Sequence, residues 1–218
     1  MFTFPPQTFF GKVIPKTRIQ AHAPASRKIR DLFTAQISEI RWAYKLSPET
    51  LHIPARLSVP EIQIFDITLK TTAIDDEVLH TIDRAIPYPV FHRLYSEKGT
   101  AISAAFKRPN AADPGQWVVG TRFTTAFKKS AAELPPLPTV LDLGHLYAAL
   151  FAPLLPMPPR SGETLAAQIA RCEKILRLRR QIDLLTSRLH REKQFNRKVE
   201  INQQLKPLLA EADTLTRE

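Results

Sequence analysis

The sequence predicts an α+β fold, a mixed five-stranded sheet with a βαβ crossover and flanking helices, followed by a basic helical tail. Three observations lead to this prediction. The 218 residues are 44% hydrophobic and 24% charged, which is ordinary globular composition with enough apolar material for one core. Before residue 160, short segments of alternating hydrophobicity are interleaved with helical patterns and with 18 of the 19 prolines. After Gly162 only helical periodicity remains.

Composition divides the chain into three segments. An α+β domain is expected at 1–152, a semi-rigid Pro-rich linker at 153–162 (PLLPMPPRSG), and a helical tail at 163–218. The Phe-rich residues 1–23 contain three prolines, which argue against a helix. This stretch is therefore interpreted as an extended arm that packs on the domain.

The elements of the domain follow in chain order from periodicity and capping residues. Steps of three and four residues predict a helix that begins at Pro24 or Ser26 and runs to about residue 38. Alternation over 40–46 predicts a half-buried strand. The further elements are a strand at 61–70, a helix at 75–86, strands at 90–95, 101–107 and 117–127, and a helix at 140–152. The piece 61–95 should be a right-handed crossover between parallel strands, and the other strands should pair antiparallel.

The tail contains two series of apolar residues at steps of three and four, over 175–189 and 201–215. The two series do not share a heptad register, because twelve residues separate Leu189 from Ile201. Two antiparallel helices joined near 190–196 explain this most simply. One long coiled-coil helix with a discontinuity is the alternative.

Positive charge is concentrated in this tail. The chain has 31 Lys and Arg against 21 Asp and Glu, a formal charge of +10, and the segment 171–198 carries seven of these net charges. Such a surface would suit the phosphates of duplex DNA, whose neutralisation releases counterions. A solvated helix face, or a surface matched to an acidic partner protein, would have the same composition. The candidate DNA- or partner-binding residues are Arg179, Arg180, Arg188, Arg191, Lys193, Arg197 and Lys198.

Catalytic motifs are missing from the sequence. It has no Walker loop, no GxGxxG, no GxSxG and no HExxH, so we expect no cofactor and no metal site. The lone Cys172 excludes a disulfide framework and is interpreted as a packing residue. The best enzymatic candidate is a divergent metal-dependent nuclease that uses Asp66, with Glu61 and Lys70 on the same strand. The alternative is that Asp66 pairs with a cation on a neighbouring strand.

Two smaller interpretations concern other polar and aromatic residues. Lys107, Arg108 and Arg122 could form a small anion site beside the loop at 108–116, although solvated strand ends are more typical there. Trp42 and Trp117 are interpreted as core residues.

The longest apolar stretch, 146–159, is broken by prolines and is too short to span a bilayer. We therefore expect a soluble cytoplasmic protein.

Five stretches of the chain carry a resemblance to a known family. They are WAYKLSPET at 42–50, IQIF at 62–65, AIPYP at 85–89, FKRP at 106–109 and EKQFNRKVE at 192–200. They are similar to an uncharacterised prokaryotic family, a domain of unknown function, over nearly the whole chain. Members of that family are often encoded beside a DNA methyltransferase and a helicase-type subunit, in clusters resembling type III restriction–modification or phage-defence systems. The resemblance implies an accessory role near DNA and transfers no catalytic residues.

Together these features predict a non-enzymatic accessory or adaptor protein. Its basic tail would bind a helicase or methyltransferase partner, the backbone of duplex DNA, or both. A structural homo-oligomer joined through the tail and the Asp66 nuclease are the alternatives.

Overall fold

The computed structural model describes residues 2–23, 25–113, 115–129 and 134–217. The chain forms two compact units, Met1–Leu154 and Leu155–Glu218. The first unit contains β1 (Phe9–Val13), α1 (Lys16–His22), α2 (Arg27–Gln36), β2 (Ile37–Leu46), α3 (Pro48–Leu51), β3 (Ile62–Leu69), α4 (Asp76–Ala85), β4 (Val90–Ser96), β5 (Gly99–Pro109), β6 (Trp117–Thr124) and α5 (Leu143–Phe151). The second unit contains α6 (Leu165–Arg191) and α7 (Phe195–Thr216).

The strands of the first unit form one mixed sheet in the order β1-β2-β3-β4-β5-β6. β3 and β4 are parallel and are connected through α4, whereas every other neighbouring pair is antiparallel. The parallel strand–helix–strand unit and the antiparallel pairing are thus confirmed. The number of strands was wrong, because the described residues contain six strands and not five.

The additional strand, β1, lies in the segment that was interpreted as an extended arm. It is an edge strand of five residues, and a register shift separates its pairs Phe9–Tyr44 and Lys12–Trp42. Gly11 lies at this irregularity with φ +65°, a left-handed conformation that favours glycine. A short strand with exposed side chains has little local signal, so only its pairing with β2 defines it.

The same segment also contains a helix, α1, which the prolines seemed to exclude. Pro15 occupies the N-cap of α1, with φ −60°. A proline at a helix start removes no hydrogen bond, since the first backbone N–H groups of a helix have no partner within it. The prediction of a helix-free arm was therefore wrong for 16–22.

Side-chain caps are present at the predicted starts of α2 and α4. The Ser26 hydroxyl accepts a hydrogen bond from the Ile29 N–H at 3.3 Å and begins α2, whereas Pro24, the other predicted start, lies outside the described residues. Asp75 accepts from the Glu77 N–H at 2.9 Å and begins α4. Side-chain oxygens satisfy free helix N–H groups in this way, which is a local effect that the sequence can predict.

One face of the sheet packs against α1, α2 and α4. Its buried core combines Ile19 from α1, Phe33 from α2 and Ile82 from α4 with strand residues such as Phe65 and Leu94. The opposite face packs against α5. Phe151 of α5 is fully buried, and its ring contacts Phe91, Phe106 and Phe123 at centroid distances of 5.3 to 6.4 Å.

The second unit is an antiparallel helical hairpin. Lys174 in the first half of α6 pairs with Glu211 in the last third of α7 at 2.6 Å, in agreement with an antiparallel arrangement. The prediction of two helices is confirmed, and the single long helix is wrong. The turn needs no glycine, because the Glu192 carboxylate accepts the backbone N–H groups of Lys193 and Gln194 at 2.8 and 2.9 Å.

Candidate functional site

The outer face of α6 carries a stripe of arginines. Arg177, Arg180, Arg188 and Arg191 are separated by three, eight and three residues, so they share one face with Leu184 between them. All four arginines are exposed, and none forms an ion pair with a described residue. We name these four residues the arginine stripe. At 1.5 Å per residue the stripe is about 21 Å long.

The stripe lies opposite the apolar seam of α6. Ile175 and Leu178 of α6, and Ile201 and Leu205 of α7, are buried. The seams predicted from the heptad pattern are therefore used inside the unit, at least over these positions. The hairpin exposes many charged side chains to solvent, together with the apolar side chains of Leu184, Phe195, Val199 and Leu209.

The structure places six of the seven predicted site residues in two groups. Arg180, Arg188 and Arg191 belong to the arginine stripe, which also includes Arg177, a residue that the candidate set left out. Arg179 lies off this face, because it is two residues from Arg177 on the helix. Lys193, Arg197 and Lys198 lie at the hairpin turn and the start of α7, and all three are exposed. Of these three, Arg197 has an acidic neighbour, Glu192, at 4.0 Å.

The open end of the hairpin is held by buried charge contacts. Glu163 accepts two hydrogen bonds from Arg171, at 2.8 and 2.7 Å, and these side chains are only 10% and 7% exposed. Arg160 donates to the backbone carbonyls of Leu215 and Arg217 at 3.1 and 2.6 Å, which satisfies the free end of α7. These contacts join the segment before α6 to the end of α7 and to α6 itself, the helix that carries the arginine stripe.

Glu163→Gln is expected to lower the free energy of unfolding of this unit by about 1–3 kcal/mol at pH 7, because it leaves the Arg171 guanidinium buried without its counter-charge. Hydrogen bonding by Arg171 lowers the pKa of Glu163 from 4.5 to about 2. The contribution of the Glu163 carboxylate to the free energy of unfolding is thus complete above pH 4.5 and is lost as the pH falls through 2. Urea unfolding followed by far-UV circular dichroism should show that the difference in free energy of unfolding between wild type and Glu163→Gln shrinks over that interval.

Glu211→Gln is the matched control for this prediction. Its partner Lys174 is 49% exposed and Glu211 itself is 42% exposed, so the pair is solvated. We expect a loss of no more than about 1 kcal/mol. Equal losses in the two variants would contradict the special role of Glu163.

The nuclease candidate Asp66 has another role in the structure. Its two carboxylate oxygens accept hydrogen bonds from Arg93 of the neighbouring strand β4, at 2.5 and 2.7 Å. Glu61 pairs with Lys45 at 3.3 Å, and Lys70 donates to the Thr34 carbonyl at 2.9 Å. Pairing with a cation on an adjacent strand is therefore confirmed for Asp66. The three residues of the nuclease hypothesis do not converge on one point.

A buried ionic network replaces the small anion site that was considered at Lys107, Arg108 and Arg122. Asp83 of α4, with a side chain fully enclosed, accepts from Arg122 of β6 and lies 3.0 Å from Nε2 of His92 of β4. Lys107 is buried and the Arg122 side chain is 8% exposed, so neither is a solvated strand end. Arg108, in contrast, is exposed. Arg122 is paired with acidic groups of the protein and Lys107 is enclosed, so these two residues do not form the surface anion site that was considered.

Lys107 is held by backbone acceptors. Its Nζ donates to the carbonyls of Ile86 and Tyr88 at 2.5 and 2.8 Å, and its backbone N–H donates to the Tyr147 hydroxyl at 2.9 Å. Burial lowers the pKa of Lys107 to about 8, against the opposing charge of Asp83. These contacts tie the segment after α4 to β5 and α5, which is a structural role.

Aromatic and sulfur-containing residues also differ in part from expectation. Trp42 and Trp117 are half-buried. Trp42 packs against the buried core, so its interpretation as a core residue holds in part, whereas Trp117 lies outside that cluster. Cys172 is fully buried in α6, in agreement with a packing role, and burial raises the pKa of its thiol.

No group of three His, Cys, Asp or Glu side chains that could hold a metal ion is found among the residues that the structure describes.

Comparison with known families agrees with the resemblance seen in the sequence. Residues 2–211 match the family described as "Domain of unknown function (DUF4391)". The chain belongs to this family. No curated protein and no solved structure matches the chain. The DUF4391 match covers both the mixed sheet and most of the hairpin, so both units belong to the region that defines the family.

None of the helices within the described ranges has the length and hydropathy needed to cross a bilayer.

Proposed function

We propose that this protein is a non-enzymatic accessory protein of a DNA-processing system, and that its hairpin binds the phosphate backbone of duplex DNA. The observation that carries the proposal is the arginine stripe, four exposed guanidinium groups on one helix face, none of which forms an ion pair with a described residue. The first unit would then serve as the rigid body to which this basic hairpin is attached.

The chemistry of the stripe fits phosphates better than bases. Arginine presents fixed, permanently charged donors that suit phosphate oxygens. A stripe of about 21 Å corresponds to roughly six phosphates along one strand at 3.4 Å each. Phe195 is the one aromatic residue in the tail, so base stacking along a single strand has little support. Binding should therefore be weakly dependent on DNA sequence.

The family resemblance gives the proposed system. Genes of such families often lie beside a DNA methyltransferase and a helicase subunit of type III-like restriction or phage-defence clusters, and these enzymes are the proposed partners. Leu184 is 70% exposed and Phe195 is 77% exposed, which favours a second contact from the hairpin to a partner protein. Self-association through the apolar seams has less support, since Ile175 and Leu205 are already buried.

A mobility-shift series with a duplex of arbitrary sequence tests the DNA contact. Each neutralised phosphate contributes about −0.9 to the slope of log K against log salt, so four arginines predict a slope near −3.6. The dissociation constant should then rise on the order of 10²-fold between about 50 and 200 mM salt. The DNA proposal fails if the protein does not bind at the lowest salt, or if binding is insensitive to salt.

Two measurements separate the other partners. Affinity purification of the full chain from its native host should recover a methyltransferase or helicase subunit, and recovery of neither would remove the adaptor role. Sedimentation of the full chain at micromolar concentration should give a monomer, whereas a dimer or larger species would support the homo-oligomer.

A further inference from the structure

A cavity lies at the β1 edge of the sheet, within the first unit and remote in sequence from the hairpin. Its volume is about 400 Å³, within the range of about 300–1,000 Å³ that is typical of small-molecule sites. The walls come from β1, β2, β3, α1 and the segment after α4. The lining residues that matter here are Phe10, Lys12, Arg18, His22, Trp42 and Phe65.

One wall of the cavity is aromatic and held in place. The rings of Phe10 and Trp42 lie 4.2 Å apart between centroids at 38°, and Trp42 lies parallel to Phe65 within 10° at 6.0 Å. The Trp42 Nε1–H donates to the Tyr44 carbonyl at 3.0 Å, which fixes the indole. Phe10 remains 44% exposed, far more than a ring that serves only packing. A planar aromatic ligand could stack on this wall.

The rim of the cavity is cationic. Lys12 and Arg18 are exposed, line the cavity, and form no ion pair with a described residue. His22 lies beside them, and the lining includes no carboxylate. An aromatic wall next to two free cations is suited to a ligand that joins a flat ring to an anionic group.

We propose that this cavity binds a nucleotide, with the base against Phe10 and Trp42 and the phosphate on Lys12 and Arg18. A purely apolar ligand would leave the two cations unused, and inorganic phosphate alone would leave the aromatic wall unused. The same chemistry is offered by a free mononucleotide and by the terminal nucleotide of a phosphorylated strand. This site is independent of the hairpin and of the proposed DNA contact there.

The chain has two tryptophans, so Trp117→Phe leaves Trp42 as the reporter of this site. We expect Trp42 fluorescence in this variant to be quenched by AMP, by a short 5′-phosphorylated oligonucleotide, or by both, at millimolar concentrations or below. Quenching by AMP alone would identify a free nucleotide as the ligand, and quenching by the oligonucleotide alone would identify the end of a strand. Inorganic phosphate should leave the emission unchanged.

Adding Lys12→Ala and Arg18→Ala to this background should weaken nucleotide binding at least about tenfold, as expected for the loss of charged hydrogen bonds. The matched control replaces Arg27 and Lys28, two exposed cations of α2 that do not line the cavity, and should bind as before. The proposal is overturned by an absence of quenching with both ligands at millimolar concentration. It is also overturned if the Lys12/Arg18 variant binds as tightly as its parent, or if phosphate competes as well as AMP does.

Discussion

Replacing all four residues of the arginine stripe by glutamate is expected to abolish duplex DNA binding by the full-length protein. The change removes four guanidinium groups from one face and places four carboxylates opposite phosphates, so electrostatic repulsion adds to the lost counterion release. We expect the dissociation constant to rise by about 10³-fold or more at moderate salt. Fluorescence anisotropy with a labelled duplex measures this change directly.

A charge-matched control shows whether position or total charge matters. The control variant replaces four exposed cations of the first unit with glutamate, at Arg27, Lys28, Arg30 and Arg84. It changes the net charge by the same amount as the variant of the arginine stripe. The control variant should lose little affinity, because its changes lie outside the hairpin. Equal losses in both variants would mean that only the overall charge attracts DNA. Far-UV circular dichroism should show unchanged helicity in both, since every substituted side chain is exposed.

Asp83→Asn is expected to be among the most destabilising single changes in the first unit. Asparagine keeps the volume of the side chain but removes the acidic charge at the buried centre of the network. Lys107 then loses the nearby carboxylate charge, and Arg122 keeps only its contact with the exposed carboxylate of Asp76. Removing one partner of a buried ion pair costs about 3–5 kcal/mol. That loss is a large fraction of the 5–15 kcal/mol that is typical of a whole domain. Urea unfolding followed by tryptophan fluorescence measures it.

The pH dependence gives a second readout for Asp83. Burial by itself would raise the pKa of this carboxyl, but His92, Arg122 and Lys107 outweigh burial and lower the pKa from 3.8 to about 2. The stabilisation is therefore present above pH 3.8 and is lost as the pH falls through 2. The difference between wild type and Asp83→Asn should shrink over that interval.

Asp76 provides the control for Asp83, because it contacts the same arginine from the surface. Its Oδ1 lies 2.6 Å from Nε of Arg122, but its side chain is 74% exposed. Asp76→Asn should cost less than about 1 kcal/mol, as is typical of solvated ion pairs. A cost for Asp76→Asn as large as that for Asp83→Asn would show that the buried position of Asp83 is not what matters.

Local signals account for most of the elements that were predicted correctly. Ser26 and Asp75 cap their helices through hydrogen bonds to residues two or three positions away, so a short window of sequence contains the whole interaction. The hairpin of α6 and α7 was predictable for the same reason, since the break in heptad register between Leu189 and Ile201 is visible in the sequence. Its turn residue, Glu192, was not predicted, because no Gly or Pro marks it.

The candidate site could have been predicted more accurately from the same periodicity. Counting charges along the chain included Arg179, which lies off the stripe, and left out Arg177, which lies on it. Sorting the arginines by steps of three and four would have selected Arg177, Arg180, Arg188 and Arg191. The aromatic and cationic cavity, in contrast, depends on β1 and α1, which the prolines of the N-terminal segment concealed.

By itself, the sequence determined helices α2, α4 and α5, the strand–helix–strand unit, the two-helix tail and the concentration of positive charge there. Only the tertiary structure decided that Asp66 pairs with Arg93, that Asp83 contacts His92 and Arg122 from two strands, and that 9–13 is an edge strand. Helical periodicity and caps act within a few residues, so they can be read along the chain. Ion pairs and strand partners join residues tens of positions apart, and they exist only once the register of the sheet is set.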